Sequence, residues 1–146
     1  MKAKRMIAAL MLSTMVLGQA SSVSAGTGKE FKNFKMDTRP RSEDTRVAVG
    51  KAKADNEQRW YLTLTKVDGL GTETSNSNGN ALAFSSTTKG STAPIPLFKS
   101  NLNRTVRKEY YKEMGAKKNT WCNLHIGSNS NNKKSYKLRL AGKYSS

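Results

Sequence analysis

Apolar residues in this chain recur at every second position, in runs too short to build much besides strands. Trp60, Leu62 and Leu64 share one parity, and Tyr61, Thr63 and Thr65 share the other. Residues 121–126 put Cys122, Leu124 and Ile126 on one face, and residues 135–140 do the same with Tyr136, Leu138 and Leu140. Val47 and Val49 share a parity, and 81–86 is a short strand through Leu82 and Phe84. A period of two, carried by β-branched and aromatic residues, marks half-buried strands. The connections at 68–80 and 86–100 are dense in Gly, Ser, Thr, Asn and Pro, which break regular structure. The pattern predicts an all-β fold: a small antiparallel β-sandwich or barrel of about six to seven short strands. Segments 121–126 and 135–140, joined through polar 127–134, have the form of a β-hairpin with a long loop.

Two segments leave alternatives open. Residues 26–44 are a basic, polar lead-in whose large apolar residues are Phe31, Phe34 and Met36. Arg39-Pro40-Arg41 blocks a continuous helix there, leaving a flexible arm or an edge strand. The single β-rich domain is then expected over 45–146. In 103–115, Val106, Tyr110 and Met114 recur at helical spacing between Asn103 and Gly115, both suited to caps. Thr105, Val106, Tyr110 and Tyr111 equally suit a strand.

One cysteine, Cys122, excludes an internal disulfide. Its parity with Leu124 and Ile126 predicts a buried thiol acting as a small hydrophobe. A Cys122-linked dimer is the alternative, because an unpaired thiol in an exported chain can bridge two copies.

Export is expected from residues 1–25. Lys2, Lys4 and Arg5 precede an apolar run over 6–17, and Val23-Ser24-Ala25 supplies small residues for cleavage. That is the layout of a secretory signal peptide, which implies an extracellular or cell-wall-associated protein. Cleavage would leave 121 of the 146 residues and lower the formal charge from +16 to +13. The charge is uneven. Residues 26–73 hold ten basic and eight acidic residues, whereas 74–146 hold thirteen and two.

A half that basic attracts polyanions. The residues expected to contact them are Arg104, Arg107, Lys108, Lys112, Lys117, Lys118, Lys133, Lys134, Lys137 and Arg139, with Tyr110 and Tyr111 interleaved. Lys137 and Arg139 should face outward, opposite Leu138 and Leu140. Outside a cell, the matching partners are anionic envelope polymers or a charged membrane surface. Basic residues with aromatics also bind nucleic acid, but no dedicated nucleic-acid motif is present.

Catalytic patterns are poor. His125 and Cys122 are three apart, which puts them on opposite faces of a strand. The chain has no Gly-x-Ser-x-Gly elbow and no phosphate loop. Glu109 and Glu113 are the best-spaced carboxylates, but Lys108 and Lys112 beside them read as a solvated charged face. Asp55 and Glu57 fall in a turn. No cofactor, metal or enzymatic activity is expected.

The C-terminal residues also carry a resemblance. Glu109-Tyr110-Tyr111-Lys112, Trp121-Cys122-Asn123-Leu124-His125-Ile126 and the closing Ser135-Tyr136-Lys137-Leu138-Arg139-Leu140-Ala141-Gly142-Lys143-Tyr144 resemble small secreted Gram-positive proteins. Some of these occur near lactococcin-like bacteriocin genes. The resemblance covers 45–146 and implies secretion and a β-rich domain, with no catalytic residues to carry over. The expected function is that of a secreted, non-enzymatic basic protein binding anionic envelope polymers. The alternative is a bacteriocin-like toxin or accessory protein acting on neighbouring bacteria.

Overall fold

The computed structural model describes residues 28–72, 77–86 and 90–146. The signal-peptide reading at 1–25 lies outside them. Eight strands occur among the described residues: β1 (Lys29–Asp37), β2 (Thr45–Ala52), β3 (Arg59–Asp68), β4 (Gly79–Ser85), β5 (Ile95–Leu97), β6 (Thr105–Glu109), β7 (Trp121–Ser128) and β8 (Lys137–Ser145). They form two antiparallel four-stranded sheets, ordered β1-β8-β3-β6 and β2-β7-β4-β5. The expected β-sandwich is therefore the fold, with one or two more strands than the alternation alone marked.

Both open segments resolve into strand. Residues 29–37 form β1, an edge strand paired to β8, so the domain begins well before residue 45. Its apolar residues break the period of two, since Phe31 and Phe34 are three apart. A bulge between them takes up the odd residue, and Phe31, Phe34 and Met36 all reach the core. In 103–115, Thr105–Glu109 is strand β6, and a single 3₁₀ turn at Lys112–Met114 follows. Gly115 then closes that turn in the left-handed conformation, with φ 58°.

The expected hairpin of 121–126 with 135–140 does not form. β7 is central in one sheet, between β2 and β4, and β8 is central in the other, between β1 and β3. The two strands bury most of the faces expected of them, Cys122, Leu124 and Ile126 from one side of the core and Leu138 and Leu140 from the other, whereas Tyr136 lies ahead of β8 and is only half-buried. A hairpin would bring both sets to one side only. The polar connection has instead to cross between sheets about 10 Å apart. It is fixed on the way by the Asn132 carbonyl, which accepts from the Arg41 amide (2.9 Å), and by the Asn132 amide group, which donates to the Asn78 carbonyl (3.1 Å).

Two further faces differ from the simple alternation. Val47 and Val49 were expected side by side, but a bulge between them buries Val49 (8% exposed) and turns Val47 out (54%). On β4 the core face is the small set Ala81, Ala83 and Ser85, while Leu82 and Phe84 lie on the outer face, half-buried. Trp60, Leu62 and Leu64 face the core as their parity requires.

Candidate polyanion-binding groove

The ten basic residues expected to bind polyanions do not form one face. β8 runs from Lys137 to Ser145, which separates its ends by about 27 Å. Lys133, Lys134, Lys137 and Arg139 cluster at its start. Arg107, Lys108 and Lys112 lie near its far end, where Ser145 pairs with Tyr61 and Tyr61 pairs with Arg107. Lys117 and Lys118 sit at that second end too: the Lys118 amide donates to Asn56 Oδ1 (2.8 Å), close to Gln58. Arg104 is exposed just ahead of β6.

At the second end the chain makes a groove of about 870 Å³, lined by Gln58, Arg59, Arg107, Lys108, Glu109, Tyr110, Tyr111 and Lys112. The lining holds four cations and one carboxylate, a net of +3. Edge strand β6 supplies much of it. Arg107 pairs with Tyr61 on the outer face, and Lys108 pairs with the buried Trp60 on the inner side, so their side chains leave the strand in opposite directions. The two charges therefore straddle the sheet edge instead of lying beside each other. Arg59, which lies outside the basic cluster expected from the sequence, is partly neutralised by Glu109 (3.4 Å) and Glu57 (3.8 Å). Arg107, Lys108 and Lys112 have no acidic partner among the described residues. Tyr111 is 44% exposed at the rim.

Tyr110 is the groove's inner wall. Its amide donates to the Gln58 carbonyl (2.9 Å), and its hydroxyl shares a 2.8 Å hydrogen bond with that of Tyr144. Gln58 is itself held by donation to the Ala116 carbonyl (2.8 Å). Behind Tyr110 lies a buried polar cluster. The Lys53 ammonium sits 5.0 Å from the centre of the Tyr110 ring, fully buried. Among the described residues its Nζ has no hydrogen-bond partner, and its nearest carboxylate, Asp55, is 3.8 Å away. Burial lowers the Lys53 pKa, and the Asp55 charge opposes that shift only in part. Burial likewise raises Tyr110 and Tyr144 far above the ordinary phenol range. It raises Cys122 as well, against the smaller opposing effects of Tyr110 and Lys53.

Cys122 is thus a buried, protonated thiol. The dimer alternative fails on geometry, since a sulfur with no exposed surface cannot reach a second folded copy. His125 is on the opposite face, 4.1 Å from the Phe84 ring centre, and burial lowers its pKa. Glu109 is exposed and ion-paired, and Glu113 is exposed in the 3₁₀ turn. Among the described residues, no three His, Cys, Asp or Glu side chains are placed to hold a metal ion.

The other basic end is more neutralised. Arg139 donates to Asp37 Oδ1 (3.0 Å) and to the Leu138 carbonyl (2.8 Å), so its charge is engaged although it faces outward. Lys134 lies 5.6 Å from the Tyr136 ring centre. Lys133 and Lys137 are exposed. Among the described residues, no helix is long and apolar enough to cross a membrane.

Comparison with protein-family models, curated proteins and solved structures returns no match. The functional reading rests on the geometry and the charge.

Proposed function

We propose that this protein is a secreted, non-enzymatic binder of anionic cell-envelope polymers, and that the groove at the β6 edge is its main contact. The observation that carries the reading is the grouping of Arg107, Lys108 and Lys112, with no acidic partner among the described residues, around a groove whose rim presents Tyr111. Cationic side chains beside an exposed aromatic hold a charged chain by its repeating anions while leaving its sequence unread. The extracellular setting rests on the leader at 1–25 and decides which polyanion the protein meets.

The reading is tested by sedimenting the protein with isolated Gram-positive cell walls at about 20 mM and about 500 mM salt. Surface charge contacts are largely screened at the higher value. Retention at low salt that collapses at high salt supports the reading. Binding that ignores salt, or no binding at low salt, rules it out.

A further inference from the structure

The outer face of the β2-β7-β4 sheet is unusually rich in flat and apolar groups for a surface. β7 projects Trp121, Asn123 and His125 from it, and β4 projects Leu82 and Phe84. β2 contributes exposed Val47, paired with His125, and Gly50, paired with Asn123. Trp121 is 47% exposed. Half-exposed tryptophan is usually loose, but this one is fixed in two ways. Its Nε1 donates to Asn123 Oδ1 at 2.9 Å. Its indole also lies directly over the Gly50 backbone: a Cβ at Gly50 would stand 2.7 Å from Trp121 Nε1 and 2.2 Å from Asn123 Oδ1. Only glycine lets both side chains lie down on the sheet. The Lys29 ammonium, from β1, stands 5.7 Å from the indole centre.

We infer that this face is a second binding site, built for an acidic polysaccharide. From Trp121 to His125 the strip runs about 13 Å, and from β2 to β4 about 10 Å. A flat ring held in place beforehand loses little freedom when a sugar ring packs on it. Asn123 keeps its amide nitrogen for a hydroxyl, since its oxygen is taken by the indole. Charge complementarity selects an acidic glycan over a neutral one. Lys29 overhangs the ring, and the one carboxylate that shares a hollow with Lys29, Val47 and Gly50, that of Glu30, is itself ion-paired to Lys32 (3.7 Å). Lys29 is exposed and can swing from the indole to a sugar carboxylate. The site is separate from the β6 groove, which lies at the edge of the other sheet.

The chain has two tryptophans, and Trp60 is buried, so a change of emission on adding ligand reports Trp121. Three probes separate the sites: polygalacturonate (sugar rings with charge), dextran (rings without charge) and polyphosphate (charge without rings). Polygalacturonate should shift the emission, and Trp121→Ala should weaken its binding at least about tenfold while Trp121→Tyr retains most of it. Lys29→Gln should weaken polygalacturonate several-fold. Polyphosphate binding should be indifferent to Trp121→Ala and should fall when the basic residues of the groove are removed. Emission from Trp60 in Trp121→Ala checks that the variant is folded. Equal polygalacturonate affinity in the wild type and a folded Trp121→Ala overturns the site. Dextran binding as tightly as polygalacturonate overturns the assignment to an acidic glycan.

Discussion

At the scale of single residues, Lys53 is the least expected feature of the molecule. A buried ammonium without a hydrogen bond is a burden on the fold, and the 3.8 Å contact to half-exposed Asp55 offsets little of it. Methionine has nearly the same length and no charge to desolvate. Lys53→Met should therefore raise unfolding stability at pH 7 by about 1–2 kcal/mol, read from the urea midpoint. The pH dependence should change with it. The native Lys53 pKa is below its unfolded value of 10.5, so the unfolded chain holds that proton more tightly. Stability from this group accordingly rises as pH climbs through the native pKa towards 10.5. Cys122, Tyr110 and Tyr144 work in the other direction, because their native pKa values are raised. What they contribute is fully present below their unfolded values of 9.0 and 10.0 and is lost above them. Lys53→Met should remove the rising part and leave the alkaline loss. Gly69 is a second sensitive position. Its φ is +86°, and a Cβ there would be 2.2 Å from the Lys137 carbonyl oxygen. Gly69→Ala should destabilise by about 2 kcal/mol or more, from backbone strain and lost fit at the end of β3.

At the scale of elements, the groove depends on one short edge strand. Each exposed cation near a polyanion contributes up to about 1 kcal/mol, so removing three should weaken binding substantially. The triple variant Arg107→Ala, Lys108→Ala, Lys112→Ala should lose on the order of 10- to 100-fold in cell-wall affinity at low salt. Its unfolding midpoint should change little, since none of the three is buried or ion-paired among the described residues. Much of this level was legible in the chain. Parity alone put Trp60, Leu62, Leu64, Cys122, Leu124, Ile126, Leu138 and Leu140 into the core. What parity cannot reveal is which sheet a strand joins. β7 and β8 have the same alternating pattern whether they pair with each other or face each other across the core. Bulges defeat it too, since one added residue reverses Val47 relative to Val49. On β4 the alternation puts Leu82 and Phe84 on one face but does not say which face fills the inward space. The space there is filled by alanines, which leaves Leu82 and Phe84 to the outer strip. For the site, the cluster at 104–112 was readable because its residues are contiguous. Arg59 was not, because it reaches the groove only through the pairing of β3 with β6.

At the scale of the whole molecule, the decisive property is that the basic ends are far apart. The start and finish of β8 are separated by about 27 Å, more than three Debye lengths at physiological salt, where the length is about 8 Å. A short anion can therefore occupy one end only. A polymer longer than that span can engage both, and its second contact is then intramolecular, at high effective concentration. The two cases predict different mutational patterns. With a short oligophosphate at 150 mM salt, the triple groove variant should lose most of its binding, while Lys133→Ala, Lys134→Ala, Lys137→Ala should leave affinity within about twofold. With a long teichoic or uronic polymer, either triple variant should weaken binding, and the loss from combining them should exceed the loss from the groove variant alone. At about 10 mM salt the Debye length approaches 30 Å, and the short probe too should begin to sense the distant end. A titration matrix of two probes, two triple variants and two salt concentrations reads all of this. Equal sensitivity of the short probe to both ends at 150 mM salt would mean that the protein acts as a diffuse positive surface, with no privileged place for the β6 groove.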